Sequence, residues 1–209
     1  LNRAMVATVL YRLSGDKVSA TNAFPDVPAN EWYGEAVAWA QQKGIVTGFE
    51  DGTFRPMEEI SRQDMALMLQ RYAKTVKGTD TTPTGDLSRW PDAGLVGSWA
   101  VDALRWCVGA GIINGKDGGL QPTGNATRAE FATIAALFFH APEVEGDAFT
   151  DISDSWARDY INRAAKLGLV SGYEDGTFRP QNQITRAEVM EIINNVLFRT
   201  PDKDHLLPD

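Results

Sequence analysis

The stretch GFEDGTFRP, Gly48 to Pro56, returns as GYEDGTFRP at Gly172 to Pro180. A shortened copy, GKDGGLQP, occupies Gly115 to Pro122. Agreement this close marks a duplicated structural unit, and that unit governs every local reading. The loop itself is turn chemistry. Asp51-Gly52 and Asp175-Gly176 each join an aspartate that hydrogen-bonds its own backbone to a glycine free to take φ > 0. The closing proline lacks an N–H and ends any extended run.

The same grammar flanks each loop. Trp32, Ala36, Val37, Trp39 and Ala40 keep helical spacing, and Gly44 stands where a left-handed C-terminal cap belongs. Ser61 opens a second helix, expected to run to about Lys74, and Asp64 three residues on completes a capping box. Trp99 to Gly111 and Trp156 to Gly168 repeat the twelve-residue interval from Trp32 to Gly44. Gly48, Gly115 and Gly172 each follow four residues later, and Arg62, Arg128 and Arg186 each lie six past the loop proline. The box recurs as Thr127 with Glu130 and Thr185 with Glu188.

Three full units are therefore expected, at 24–75, 90–141 (the shortened loop) and 149–199. A Thr/Gly-rich connector at 76–89, expected to be flexible, separates the first two. Residues 1–15 read as the second helix of a partial unit, and 200–209 as a tail or the start of a further one. The intervals Arg3 to Asp26, Arg128 to Asp151 and Arg186 to Asp209 are all twenty-three residues. This register predicts a window onto a longer protein. Units of this size cannot bury an apolar face alone. The expected fold is all-α, tandem helix-loop-helix repeats with short extended loop segments, the first helices meeting in a shared core.

Composition narrows the function. The 209 residues are 43% hydrophobic, yet no apolar run approaches the length that crosses a bilayer, so no membrane insertion is expected. A net charge of −8 argues against nucleic acid, and any anionic partner must be held by local arginines. The single cysteine, Cys107, excludes a disulfide framework and a multi-thiolate metal site; it aligns with Ala40 and Ala165 and reads as a small core residue. The loops lack the acidic ladder of a calcium-binding EF-hand. Two histidines, His140 and His205, fall outside the repeated positions, and no nucleophile or zinc motif accompanies them. Neither enzyme chemistry, cofactor nor metal is expected.

The candidate site residues are the repeated ones. Arg62, Arg128 and Arg186 open their helices, with Arg3 and Asp209 added by register alone. A cation there opposes the helix dipole by roughly 0.3–1 kcal/mol, whereas an anionic ligand would suit both guanidinium and helix N-terminus. Bridging to an acid is the structural alternative. Asp26, Asp92 and Asp151 open their units, either as caps and turn residues or as acceptors that meet a ligand or orient the arginine. Trp32, Trp99 and Trp156 offer flat apolar platforms with one N–H donor or anchor the core, and a mixed role with one edge buried and one edge open is expected, while Trp39 and Trp106 read as core. Gly48, Gly115 and Gly172 serve the backbone or admit a ligand close to it.

Taken together, Phe24 to Val27, Gly44 to Gly48, Gly48 to Pro56 and Ile60 to Asp64 resemble the S-layer homology domain. Phe149 to Ile152, Gly168 to Gly172, Gly172 to Pro180 and Ile184 to Glu188 repeat the match. The middle unit departs from it, with Trp90 for the opening Phe, Ala93 after Asp92, and a loop short of one residue and the Thr-Phe pair. The resemblance implies a pseudo-threefold bundle and a secreted, non-catalytic anchor at the bacterial cell wall or surface layer. Its grooves between repeats would bind secondary cell-wall polysaccharide, often through a pyruvylated sugar. Self-assembly in a surface layer, or a hold on peptidoglycan-linked glycan in a bacterium with an outer membrane, are the alternatives. On this reading the groove beside the shortened loop is the weakest.

Overall fold

A computed structural model describes residues 1–17, 24–138, 141–185 and 188. Arg186, Asp209, His140, His205 and the segment 200–209 lie outside the described residues. The chain divides into two compact units, Leu1–Ala126 and Thr127–Asp209. Among the described residues every named element is helical: α1 (Arg3–Ser14), α2 (Gly34–Gln42), α3 (Arg62–Thr75), α4 (Val101–Gly109), α5 (Arg128–Phe138) and α6 (Arg158–Lys166). Short 3-10 turns at Ala93–Leu95 and Ser98–Ala100 precede α4. No helix among the described residues is long and apolar enough to cross a membrane.

Local chemistry sets the helix ends. The Ser61 side chain accepts from the Asp64 amide at 3.1 Å, and Thr127 and Glu130 close a reciprocal box, with the Glu130 carboxylate accepting from the Thr127 amide at 2.8 Å. At the other end Gly44 takes φ 69°, where a side chain would be strained, and lets the Ile45 amide turn back onto the Ala40 carbonyl at 2.8 Å. Gly111 and Gly168 do the same after α4 and α6, at φ 70° and 67°. The first helices begin later than their tryptophans suggested. α2 starts at Gly34, after a turn through Trp32 and Tyr33.

Packing follows a phase that the repeats conceal. α1 packs on α2, α3 on α4 and α5 on α6, so each second helix pairs with the first helix of the following repeat. Within Leu1–Ala126, α1 also touches α3, whereas α2 and α4 do not meet. Within this unit the expectation that the first helices share a core is thus corrected: it is the second helices, α1 and α3, that meet. α1 is buried at every position from Arg3 to Leu10, with Ala4 and Ala7 permitting close approach. Trp39, Trp106 and Cys107 are buried, as core residues should be.

The connector after α3 makes hydrogen bonds to both flanking helices. The Thr79 amide donates to the Ala73 carbonyl at 2.9 Å, and the Gln70 side chain donates to the Thr81 carbonyl at 3.4 Å. Gly85 exchanges two bonds with Arg105 of α4, at 2.9 and 3.1 Å. A Cβ on Gly85 would collide with the Arg105 carbonyl and the Gly109 amide, so this close approach requires glycine. The segment is strapped to both helices because its backbone groups find partners there.

Candidate functional site

Each second helix is capped by the loop of the next repeat. The amides of Arg3 and Ala4 donate to the carbonyls of Glu58 and Pro56 at 3.1 and 2.9 Å, and those of Met5 and Val6 return to Asn2. Arg62 and Gln63 donate to Gly124 and Pro122, and Arg128 and Ala129 donate to Asn182 and Pro180, at 2.8 to 2.9 Å. Isolated bridges Asn2–Glu59, Ser61–Asn125 and Thr127–Gln183 continue the join. All four orphan amides of each N-terminus are consumed. An anion held by free helix N-terminal amides is therefore ruled out at Arg3, Arg62 and Arg128, because neighbouring carbonyls already occupy them.

The guanidinium groups enter the same loops. Arg3 Nε donates to the Phe54 carbonyl at 2.9 Å, and Arg128 Nε to the Phe178 carbonyl at 2.7 Å. Each lies against two rings, Phe49 and Phe54 for Arg3, Tyr173 and Phe178 for Arg128, at 4.4 to 5.0 Å from the centroids. Arg62 is buried and donates from Nη2 to the Asn114 carbonyl. Burial holds the Arg3 guanidinium below its ordinary pKa, opposed by Asp64 and Glu58.

The opening aspartates act on the opposite side of the same peptides. Asp26 accepts from the amides of Phe54 and Arg55 at 2.9 and 2.7 Å, Asp92 from Leu120 and Gln121 at 2.7 Å, and Asp151 from Phe178 and Arg179 at 2.7 and 2.8 Å. The second residue of each pair is left-handed without being glycine: Arg55 at φ 57°, Gln121 at 48° and Arg179 at 55°. Such a conformation costs on the order of 1–3 kcal/mol, and the carboxylate holds it. Burial opposes the Asp92 charge, but the two amides prevail and keep its carboxyl below the usual range. Arg3 with Asp26, and Arg128 with Asp151, meet one loop peptide from two sides, whereas Arg62 reaches the Asn114 carbonyl and not the peptide that Asp92 holds.

The glycines face aromatic rings. A Cβ at Gly48 would lie 2.5 Å from Phe24 Cε1, one at Gly172 would strike Phe149, and one at Gly115 would strike Trp90. The two departures of the middle repeat belong together. Trp90 stands where Phe24 and Phe149 stand, and Leu120 takes the place of Phe54 and Phe178, a larger ring matched by a smaller partner. Trp32 and Trp99 are exposed at 40% and 51%, and Trp156 is half-buried.

One groove brings several candidates together. A space of about 600 Å³, within the range of small-ligand sites, is lined by Arg3, the Gly48 loop, Asp64 and Arg71 of α3, and Trp99 of the following repeat. Arg3 Nη1 lies 3.7 Å from Asp64, an ion pair too long for a hydrogen bond, so most of its N–H groups are unspent. Arg71 donates to the Ile45 carbonyl at 3.2 Å, and burial alone pulls its pKa down. A smaller space of about 190 Å³ adjoins Arg128, Gly172, Tyr173 and Glu188. There Arg128 also donates to the Ser171 carbonyl at 2.7 Å and pairs directly with Glu188. Neither Asp64, Glu188 nor Arg71 figured among the sequence candidates. The capping boxes were read only as caps, and Arg71, nine residues past Arg62 as Arg12 is past Arg3, carried the one available signal. No group of three or more metal-ligating side chains occurs among the described residues.

These features define a class: tandem helical repeats locked through loop-to-helix caps, with a groove built from successive repeats and lined by arginines and carboxylates alike. The chain belongs to the S-layer homology domain family, whose model matches residues 23–66, 91–132 and 148–190. It is 34% identical over 174 residues to "Cell surface glycoprotein 1" of Acetivibrio thermocellus, covering 77% of this chain and 7% of that protein. It is 33% identical over 184 residues to the "Cellulosome-anchoring protein" of the same organism, covering 84% and 39%. An "S-layer protein" of Bacillus thuringiensis subsp. finitimus is 27% identical over 198 residues, covering 92% and 23%. The chain spans well under half the length of each of these relatives.

Proposed function

We propose that this chain fastens a protein to the bacterial cell surface by binding a carboxylate-bearing wall polysaccharide in the Arg3 groove, without catalysis. The family and the anchoring and surface proteins among the relatives support the coarse role. The observation that carries the ligand class is the Arg3 guanidinium. It is anchored through Nε alone, buried beside two rings, and directs unspent N–H donors into a groove that also offers an exposed tryptophan. A planar donor fork matches a carboxylate, and an indole face matches the apolar side of a sugar ring.

The test is a titration of the chain with polysaccharide released from the wall of the bacterium that produces it. Arg3→Ala removes the buried partner of a charged contact, a loss of at least 2 kcal/mol or about thirtyfold in affinity. Thermal melting separates lost binding from lost folding, since Arg3 also holds the loop. An Arg3→Ala chain that stays folded and binds as before sinks the assignment. Assembly of the free chain into ordered layers with no affinity for wall material would favour the self-assembly role instead.

A further inference from the structure

Arg71 lines the Arg3 groove and also a second depression of about 580 Å³ walled by Gln70, Lys74, Asp102 and connector residues 79–83. Both spaces therefore border this residue. Asp64, Leu67, Met68 and Arg71 face the groove, while Gln70, Arg71 and Lys74 face the depression. At helical spacing these residues form one ridge along α3, roughly 15 Å from Asp64 to Lys74 at the usual rise per residue. Such a floor is longer than one sugar ring.

The connector makes the second wall. It exists only between the first two full repeats, where it stretches the Arg-to-Asp interval from twenty-three residues to thirty. It is held against α3 and α4 by the Thr79, Gln70 and Gly85 bonds, and Asp80 folds it locally by accepting from the Thr82 amide and hydroxyl at 3.0 and 2.7 Å. Its hydroxyls and carbonyls, with Lys74 and Asp102 exposed beside them, form a polar trough with both donors and acceptors. Arg71 itself carries one hydrogen bond, to the Ile45 carbonyl, of the five N–H donors a guanidinium supplies.

We infer that the connector extends the Arg3 groove past Arg71 into a second subsite, so that the chain grips an internal run of several sugars of an acidic glycan. Arg3 takes one acidic group, Arg71 takes the next along the chain, and the trough holds the neutral sugar beyond it. The inference rests on the groove reading above and deepens it.

The experiment compares wall-polysaccharide fragments of one, two and four repeat units, size-fractionated from the same material, by titration calorimetry. Sliding alone multiplies apparent affinity by about the number of units, roughly fourfold for the longest fragment. The second subsite predicts a gain of tenfold or more. Lys74→Glu, an exposed substitution, is expected to lower the affinity of the four-unit fragment five- to tenfold and to leave the one-unit fragment within twofold. Carboxyl-reduced four-unit fragments should lose the gain.

A length gain no larger than fourfold overturns the second subsite while leaving the Arg3 groove intact. So does an equal loss for every length in Lys74→Glu, which would mark Lys74 as a source of general field. No binding by a fragment of any length would remove both readings together.

Discussion

Arg3 and Arg128 open equivalent helices, donate from Nε to equivalent carbonyls and lie against equivalent ring pairs, yet their surroundings end differently. The space beside Arg3 is about 600 Å³ and that beside Arg128 about 190 Å³. The capping-box acid makes the difference. Asp64 stops 3.7 Å short of Arg3, while Glu188, one methylene longer, reaches Arg128. Glu188 is itself held by the Tyr173 hydroxyl at 2.8 Å, and Phe49 has no such group at the matching position. An internal partner satisfies one guanidinium. The other is left with donors to offer. The lesson is that a repeated arginine is a repeated scaffold, and that a single methylene and a single hydroxyl decide how many of its donors an internal partner takes up.

Exchanging the acids tests this most severely. Asp64→Glu should close the Arg3 groove onto its own carboxylate and lower polysaccharide affinity about tenfold, near 1.4 kcal/mol. Folding is safe, because glutamate is the usual third residue of a capping box opened by Ser61. Glu188→Asp should release Arg128 and add binding where there was little. Titration calorimetry on both variants reads the outcome. Unchanged stoichiometry and affinity in the pair would show that the length of the acid does not set which groove is open.

A smaller effect separates the tryptophans. Trp99 lines the Arg3 groove, whereas Trp32, exposed to a similar degree, does not. Trp99→Ala should cost about 1 kcal/mol, roughly fivefold in affinity, and Trp32→Ala should leave affinity unchanged. Equal losses in the two variants would mean that both platforms contact glycan and that the groove is wider than its lining.

Much of this was legible in the sequence, for physical reasons. Capping boxes and left-handed glycines are local devices, so Ser61, Thr127, Gly44 and Gly168 announce helix ends through their own side chains or the lack of one. The phase of packing was not legible. A repeat reports that a helix has an apolar face, but not whether its partner belongs to its own repeat or the next, and so α1 on α2 was missed. The arginines' partners were hidden for a different reason. Phe54 and Phe178 bind them through carbonyls, and every residue carries a carbonyl. The aspartates were read as turn residues or ligand acceptors. Their bonds to Arg55 and Arg179 show why the unit needs them, but the left-handed arginine they hold leaves no trace in composition.

Tyr173→Phe makes the finest cut, since it gives the Arg128 site the ring found beside Arg3 and leaves Glu188 in place. Burial works to raise the Glu188 carboxyl, but the Thr185 amide, the Tyr173 and Thr185 hydroxyls and the Arg128 charge together keep it below the ordinary glutamate range. A carboxyl depressed in the folded state stabilises the fold above its unfolded pKa, and that contribution is lost as pH falls through the folded value. Removing the hydroxyl should move the Glu188 titration up toward the ordinary glutamate range, so the acid loss of stability is smaller and is complete at a higher pH. The Arg128 pair survives, so affinity should change by no more than about twofold, a few tenths of a kcal/mol. Carboxyl-resolved NMR across pH 2 to 6, about two units either side of the ordinary glutamate range, follows the shift directly. A titration that does not move would show that Thr185 and Arg128 hold Glu188 without the Tyr173 hydroxyl. The difference between the two sites would then rest on the methylene and not on the ring.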